Sequence, residues 1–450
     1  MNQLLLSYYG DDFTGSSDVM EAMASQGVPT VLFTRAPSEQ ELRPFADYQA
    51  IGLAGSSRSQ TPDWMEAHLT PVFAWLKDLG ARHCHYKVCS TFDSSARIGS
   101  IGKAIDLGRA VFGQPTTPLI IGVPQLKRYT AFGTLFAAYQ GTVYRIDRHP
   151  VMSRHPVTPM READVRLHLA AQTATPIGLV GLDTLARADA DGEVDKLAAA
   201  QSIVLFDVAD AATQLAAGQQ LLRLRPRIGS FVVGSSGVEY ALLAALVANG
   251  AIAGKAQFAP VQPVERVVAV SGSCSPTTER QINHALARGF DGIAADPIEL
   301  ATNRAAETER ILAAASKTLA AGRSPLIYTA LGPSTDRGPA LDAIPGARQA
   351  NGAALGAIAR TLIEQAGLRR VIFAGGDTSS HALGQLDIFA LTTRYPLAAT
   401  PGSPLCTAHS GVPALNGIDL AMKGGQVGHD DYFVMLRDGL GPPNLCSDLS

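Results

Sequence analysis

The sequence predicts two α/β domains with mainly parallel sheets facing each other across a cleft. Three observations point there. The chain's 450 residues exceed what one ordinary hydrophobic core holds, so two domains of roughly 200 residues each are expected. Short apolar strands alternate with glycine turns and amphipathic helices along most of the length, the pattern of repeated βαβ units. The rhythm breaks at Lys255–Val264, KAQFAPVQPV, where two prolines and no periodicity mark a linker. The expected division is residues 1–254, a linker at 255–265, and residues 266–450.

The elements follow in order. Leu4–Tyr9 reads as a buried strand that ends at Gly10-Asp11-Asp12-Phe13-Thr14-Gly15. A helix is expected from Ser16 or Ser17, stopped by Gly27, with a second strand over Val28–Thr34. Two acids thus stand at the carboxyl end of a first strand, where open α/β sheets place their ligands; helix capping would explain one of them. Ala50–Ala54 leads into the polar turn Gly55-Ser56-Ser57-Arg58-Ser59, and Pro62 opens a helix to about Leu79. In His83–Gly102 a strand carrying Lys87 gives way to the polar loop Ser90–Ser95, which contains Thr91 and Asp93. A mid-strand lysine lies on an exposed face or points at a cleft carrying an anion, because burying an unpaired ammonium costs several kcal/mol, on the order of 3–5. Arg145–Asp164 reads as an ordered loop in which Arg148 and Arg154 suit a bidentate carboxylate clamp. Strands follow at Leu119–Val123, Ile177–Leu182, Ile203–Val208 and Ser230–Val233, the last turning through Gly234–Gly237 into an apolar helix. In the second domain, strand Arg266–Val270 runs into Ser271-Gly272-Ser273-Cys274-Ser275-Pro276, with Ser275 suited to a helix N-cap and Pro276 to the first helical position. Strand Leu326–Ala330, helix Ala353–Ala366 and strand Val371–Ala374 come next, and Gly375-Gly376-Asp377-Thr378-Ser379 ends that last strand. Lys423-Gly424-Gly425-Gln426 forms one more glycine turn.

Composition narrows the function classes. The hydrophobic fraction is 46%, the charged fraction 17% and the net charge −3, and no basic stripe with interleaved aromatics suggests nucleic acid. Histidines and cysteines lack the paired spacing of a zinc site, so no metal ligands are assigned. Five cysteines without a CxxC fit a reduced, cytoplasmic protein, and MNQLLLSYYGDD is not a secretion signal. No apolar run is long enough to span a membrane.

The first domain therefore offers acids, a lysine and an arginine-rich loop. The second offers three small-residue turns, Ser271–Ser275, Gly375–Ser379 and Lys423–Gly428, each able to present backbone N–H groups. Phosphoryl transfer needs this division: donors and cations for spread negative charge, and a carboxylate, Asp12 or Asp11, to take the attacking hydroxyl's proton. GxxxxGK[ST], HRD, DFG and GxGxxG are all absent, which excludes P-loop and protein-kinase machinery and weakens a dinucleotide reading.

Taken together, YYGDDFTGSSDV, HYKVCSTFDSS, the GSSG turn, SGSCSPTTERQI, AGGDTSS and LAMKGGQVG resemble, in this order and spacing, the four-carbon acid sugar kinases. The resemblance runs from Leu4 to about Phe433. It implies an N-terminal substrate domain, a C-terminal nucleotide domain, and ATP-dependent phosphorylation of the terminal hydroxyl of threonate-, erythronate- or 3-oxo-tetronate-like acids. By motif it puts Asp11, Asp12, Lys87, Thr91 and Asp93 on the substrate side, where Arg58, Arg148 and Arg154 are expected to join them. On the ATP side it puts Ser271, Gly272, Ser273, Gly375, Gly376, Asp377, Thr378, Ser379, Gly402, Lys423, Gly424, Gly425 and Gln426. Mg²⁺ is expected, held largely by phosphates and water, and the assembly expected is a homodimer. Where relatives read GGETSG, PGxPW and LKSGNFG, this chain has GGDTSS, Pro401-Gly402-Ser403-Pro404-Leu405 and Met422-Lys423-Gly424-Gly425-Gln426-Val427-Gly428. Such a divergent branch is expected to take a different acid, including a branched one such as 3-oxo-isoapionate. The competing readings are an NAD(P)-dependent sugar-acid oxidoreductase and a non-catalytic sensor.

Overall fold

The computed structural model describes residues 4–441; residues 1–3 and Cys446 lie outside the described residues. Two compact units divide between Ala256 and Gln257.

The first unit is built on β1 (Leu6–Gly10), β2 (Thr30–Phe33), β3 (Ala50–Ala54), β4 (His83–Lys87) and β5 (Thr117–Ile120). A ribbon of β6 (Arg128–Ala131), β7 (Thr134–Tyr139) and β8 (Thr142–Arg145) intervenes, followed by β9 (Ile177–Val180), β10 (Ile203–Phe206) and β11 (Phe231–Gly234). The main sheet has the order β2-β3-β1-β4-β11-β5-β10-β9, and its pairings are parallel. Helices cover both faces of such a sheet, so its strands are apolar throughout rather than alternating; β1, β2 and β10 are buried at every residue.

The second unit carries β12 (Val268–Ser271), β13 (Phe290–Ala294), β14 (Ser324–Tyr328), β15 (Arg370–Ala374), β16 (Ile388–Tyr395), β17 (Leu405–Ser410) and β18 (Asp419–Lys423). Their order is β13-β14-β12-β15-β18-β17-β16. The first five run parallel, and β17 is antiparallel to both its neighbours. Its core packs Val267, Ala269, Ile372, Ala374, Leu405 and Ala421 against the helices that carry Ile282, Phe433 and Leu436.

Strand order fixes where ligands belong. In the first unit the chain builds β2 and β3 on one side of β1 and then crosses to place β4 on the other. In the second, β13 and β14 lie on one side of β12 and β15 on the other. Each reversal opens a crevice at the carboxyl ends of two adjacent strands, the usual ligand position in open α/β sheets. Gly10 is paired with Lys87 at the first reversal and Ser271 with Ala374 at the second.

The structure corrects several sequence expectations. The first helix runs Phe13–Ser25 with Asp12 as its N-cap, so it starts three residues before Ser16. The ribbon β6–β8 was missed because its turns use Phe132-Gly133 and Gln140-Gly141 rather than Asn-Gly. All four residues adopt positive φ, at 51°, 80°, 48° and 82°, the requirement of a tight hairpin turn. The antiparallel pair β16–β17 also went unassigned, and Val261, inside the expected linker, is buried and bridges to Leu440.

Candidate functional site

At the first crevice the GDDFTG segment folds tightly for visible steric reasons. A Cβ on Gly10 would lie 2.0 Å from Ser16 Oγ, and one on Gly15 would lie 2.7 Å from Asp12 Oδ1 and 3.0 Å from Lys87 Nζ. Glycine at both positions lets the helix N-terminus sit against the ends of β1 and β4. Asp12 Oδ1 accepts the Gly15 N–H at 2.5 Å, and Oδ2 accepts Arg58 Nη1 at 2.8 Å.

Arg58 joins two carboxylates. Its Nη2 donates to both oxygens of Asp93, at 2.8 and 3.0 Å. Asp93 also accepts the Thr91 hydroxyl at 2.5 Å and the Thr158 hydroxyl at 3.1 Å. Four hydrogen bonds satisfy a buried carboxylate whose side chain is 1% exposed. With two N–H groups still uncommitted and its side chain 29% exposed, the guanidinium retains donors for an incoming anion. Among the residues expected at this site, Arg148 and Arg154 are exposed and are not among the described partners of the cluster. Their loop delivers Thr158 instead, oriented by His155 Nδ1 at 3.0 Å. Neither residue carries a spacing signal; only the folded loop brings them to Asp93.

Of the two positions the sequence allowed for Lys87, the structure excludes the exposed face. It is buried, 3% exposed, and its ammonium donates to the Val88 carbonyl at 3.1 Å with Asp18 3.9 Å away. Burial pulls its pKa down, but the charges of Asp18, Asp12 and Asp11 outweigh that and hold it above the ordinary lysine value. Asp18, one and a half turns into the helix, shifts upward through burial, opposed by Lys87.

Asp11 differs from Asp12. Its N–H donates to the Lys87 carbonyl at 2.9 Å and its carbonyl accepts the Arg58 N–H at 3.1 Å. Its side chain is buried, and Oδ1 has no partner. Burial first, and then the charge of Asp12, push its pKa up to about 7 against the pull of Arg58 and Lys87.

The second crevice is made of backbone. Ser271 Oγ accepts the Ser273 N–H at 3.4 Å, Ser273 Oγ the Ser275 N–H at 3.3 Å, and Ser275 Oγ the Thr278 N–H at 3.0 Å. The last bond caps the Pro276–Leu286 helix, with Pro276 at its first position. The serine hydroxyls shape the turn. A Cβ on Gly272 would sit 1.9 Å from Thr378 Oγ1 and one on Gly425 2.4 Å from Ser273 Oγ, so the three turns touch. Gly375 adopts φ 112° and is followed by the Gly376–Leu383 helix, which has no side-chain cap. First-turn N–H groups there lack intrahelical partners and carry the positive end of the helix dipole. The space beyond Gly376 and Gly424 is open. Thr378 and Ser379 are buried, with the Ser379 hydroxyl unpartnered; the side chain of Asp377 lies outside the described residues. Gln426 is exposed, and Gly402 sits at φ 79° in the turn before β17.

Lys423 ends β18 beneath these turns. Its ammonium donates to Thr278 Oγ1 at 3.2 Å and the Gly424 carbonyl at 3.1 Å, and lies 5.6 Å above the Tyr432 ring. Burial lowers its pKa to about 8. Thr278 Oγ1 in turn donates to the Gly425 carbonyl at 2.9 Å. The lysine braces the turn from below.

Comparison with known proteins finds two family models along the chain. Residues 6–242 match the family model of a sugar-binding N-terminal domain, and residues 268–433 that of a nucleotide-binding C-terminal domain. The chain is similar to the 3-oxo-isoapionate kinase of Paraburkholderia graminis, with 45% identity over 97% of this chain and 94% of the relative. It is also similar to the 3-oxo-tetronate kinase of Methylobacterium radiotolerans, with 34% identity over 96% and 98%. A Haemophilus influenzae protein of a domain-of-unknown-function family shares the fold, at TM-score 0.74 and 24% identity over 96% of this chain and 99% of that one.

Proposed function

Because the chain belongs to the family that joins a sugar-binding N-terminal domain to a nucleotide-binding C-terminal domain, the four-carbon acid sugar kinases, we propose that it transfers the γ-phosphoryl group of ATP to the terminal hydroxyl of a branched 3-oxo sugar acid of the 3-oxo-isoapionate type. The relatives are by name a 3-oxo-isoapionate kinase and a 3-oxo-tetronate kinase, which supports ATP-dependent phosphorylation of a sugar acid. The choice of acid rests on the higher identity to the isoapionate enzyme, 45% against 34%. The observation that supports the reading is that Asp11, Asp12, Arg58 and Lys87 lie at the strand-order reversal of the first unit, and the small-residue turns after β12 and β15 at that of the second.

In this reading residues 1–254 bind the acid and residues 266–450 the nucleotide. Arg58 grips the substrate carboxylate with its uncommitted N–H groups, while Asp93, Thr91 and Thr158 hold the guanidinium and its loop in place. Lys87 and Asp18 fix the Gly15 turn from below. The Gly272, Gly376 and Gly424–Gly425 backbones cradle the phosphates, with the uncapped Gly376–Leu383 helix supplying N–H donors. One of the two adjacent acids, Asp11 or Asp12, takes the hydroxyl proton as the oxygen–phosphorus bond forms and ADP departs. The turn's backbone donors and lysine fit a polyphosphate. Mg²⁺ bound to ATP would neutralise phosphate charge, and its coordination would come from phosphate oxygens and water; among the described residues no group of three or more His, Cys, Asp or Glu is placed to cage an ion.

A coupled assay of ADP release tests the proposal across 3-oxo-isoapionate, 3-oxo-tetronates, threonate and erythronate. Turnover is expected with kcat/KM highest for the branched acid. A preference for a linear acid would reassign the substrate, and absence of turnover with all of them despite ATP binding would overturn the substrate class.

A further inference from the structure

We propose that Asp11 is the general base of the transfer, and that Asp12 instead fixes Arg58 and the Gly15 turn. The assignment rests on the kinase reading above and decides between two carboxylates that the sequence leaves equivalent.

Geometry separates them. Both oxygens of Asp12 already accept, one from the Gly15 N–H and one from Arg58. A proton arriving there would weaken a bond that holds the helix N-terminus or the arginine. Asp11 has no such duty. Its Oδ1 is buried and unpartnered, and its backbone is pinned on both sides, to the end of β4 through Lys87 and to the turn after β3 through Arg58. A buried carboxylate oxygen without a donor costs free energy, and Oδ2, which is not among the enclosed atoms, is the Asp11 oxygen that a substrate hydroxyl would reach and donate to, standing ready to give up its proton.

The groups facing Asp11 suit the role. Asp12 comes from its own loop, Arg58 from the turn after β3, Lys87 from β4 and Asp93 from the following loop. Tyr9 and Tyr86 complete the surroundings from β1 and β4. Burial and these charges set the carboxyl near neutrality, with a value of about 7, where a base is most effective at physiological pH. In the reaction the hydroxyl proton passes to Asp11 Oδ2 as the oxygen attacks phosphorus. The bond between the γ-phosphorus and its bridging oxygen breaks with its electron pair leaving on ADP, and Asp11 then releases the proton to solvent.

The test is the pH dependence of kcat in wild type, Asp11→Asn and Asp12→Asn, with Asp11→Ala and Asp12→Ala assayed in added formate. Wild-type kcat should fall as pH drops below about 7. Asp11→Asn should lose that acid limb and roughly 10²–10⁴-fold in kcat, with sugar-acid KM little changed, and formate should restore part of the Asp11→Ala rate. Asp12→Asn should keep the limb and raise KM. Retention of kcat and limb in Asp11→Asn overturns the assignment, as does formate rescue of Asp12→Ala, which decides the question even where an Asp11 variant fails to fold. ATP binding and thermal unfolding of every variant separate loss of fold from loss of chemistry. A wild-type protein inactive on every sugar acid would count against the kinase reading and not against the choice of carboxylate.

Discussion

A carboxyl whose pKa is raised in the folded state weakens the fold once it ionises. Asp11 moves from the ordinary 3.8 to about 7. Between those values the folded chain binds the proton that the unfolded chain has lost, so stability declines as pH rises through that window and the full penalty applies above it. Asp11→Asn removes the charge and should raise the melting temperature at pH 8 but hardly at pH 4. The gain is at most about 4 kcal/mol at 1.36 kcal/mol per pKa unit, and thermal melts at the two pH values would show it. Arg58→Lys makes a different point. An ammonium cannot span Asp12 and Asp93 as the guanidinium does, so sugar-acid KM should rise by about tenfold or more while ATP KM stays put in steady-state kinetics. Asp11 and Asp12 stood out in the sequence because paired acids beside glycine at a strand end are unusual, and Asp93 stood out through the polar loop after Lys87. Thr158, His155 and Asp18 were not, since a threonine in a long loop and an acid within a helix acquire meaning only from what folds against them.

The turns of the second unit act together as one element. Gly272→Ala would drive a methyl group into the Thr378 hydroxyl, whose oxygen lies 1.9 Å from the built Cβ. Separating the turns after β12 and β15 should raise ATP KM by about tenfold or more, with sugar-acid KM unaffected, as initial-rate kinetics would report. Lys423 adds a pH signature. Its pKa is lowered to about 8 by burial, so its charge is present below pH 8 and fades above it, well before an ordinary lysine at 10.5. Nucleotide affinity should therefore fall as pH rises through 8, and Lys423→Met should flatten that dependence in ATP-binding titrations. Most strands of both units were legible from short apolar runs bounded by glycine. The hairpins β6–β8 and β16–β17 escaped because antiparallel register depends on turn conformation. Phe132 and Gln140 enter the positive-φ region without announcing it in their residue type.

At the scale of the molecule, each unit has its own run of strands and its own strand-order reversal, and ligand binding should be readable unit by unit. Calorimetric unfolding should show ATP stabilising the transition of residues 257–450 and the sugar acid that of residues 1–256, each by an amount set by its concentration relative to Kd. The alternation of strand and helix made the two-domain α/β architecture legible, whereas strand order was not, because neighbours such as β4 and β11 lie far apart in the chain. The Asp93 carboxylate has a consequence for descent. It ties together Arg58, Thr91 and Thr158, contributed by three separate stretches, and Arg58 extends the tie to Asp12. Replacing one partner alone leaves a buried carboxylate short of donors, a loss on the order of 1–3 kcal/mol, so substitutions at these positions are epistatic rather than additive. A lineage that moves to a new acid must therefore revise the set jointly, and drift at any single member is closed to it.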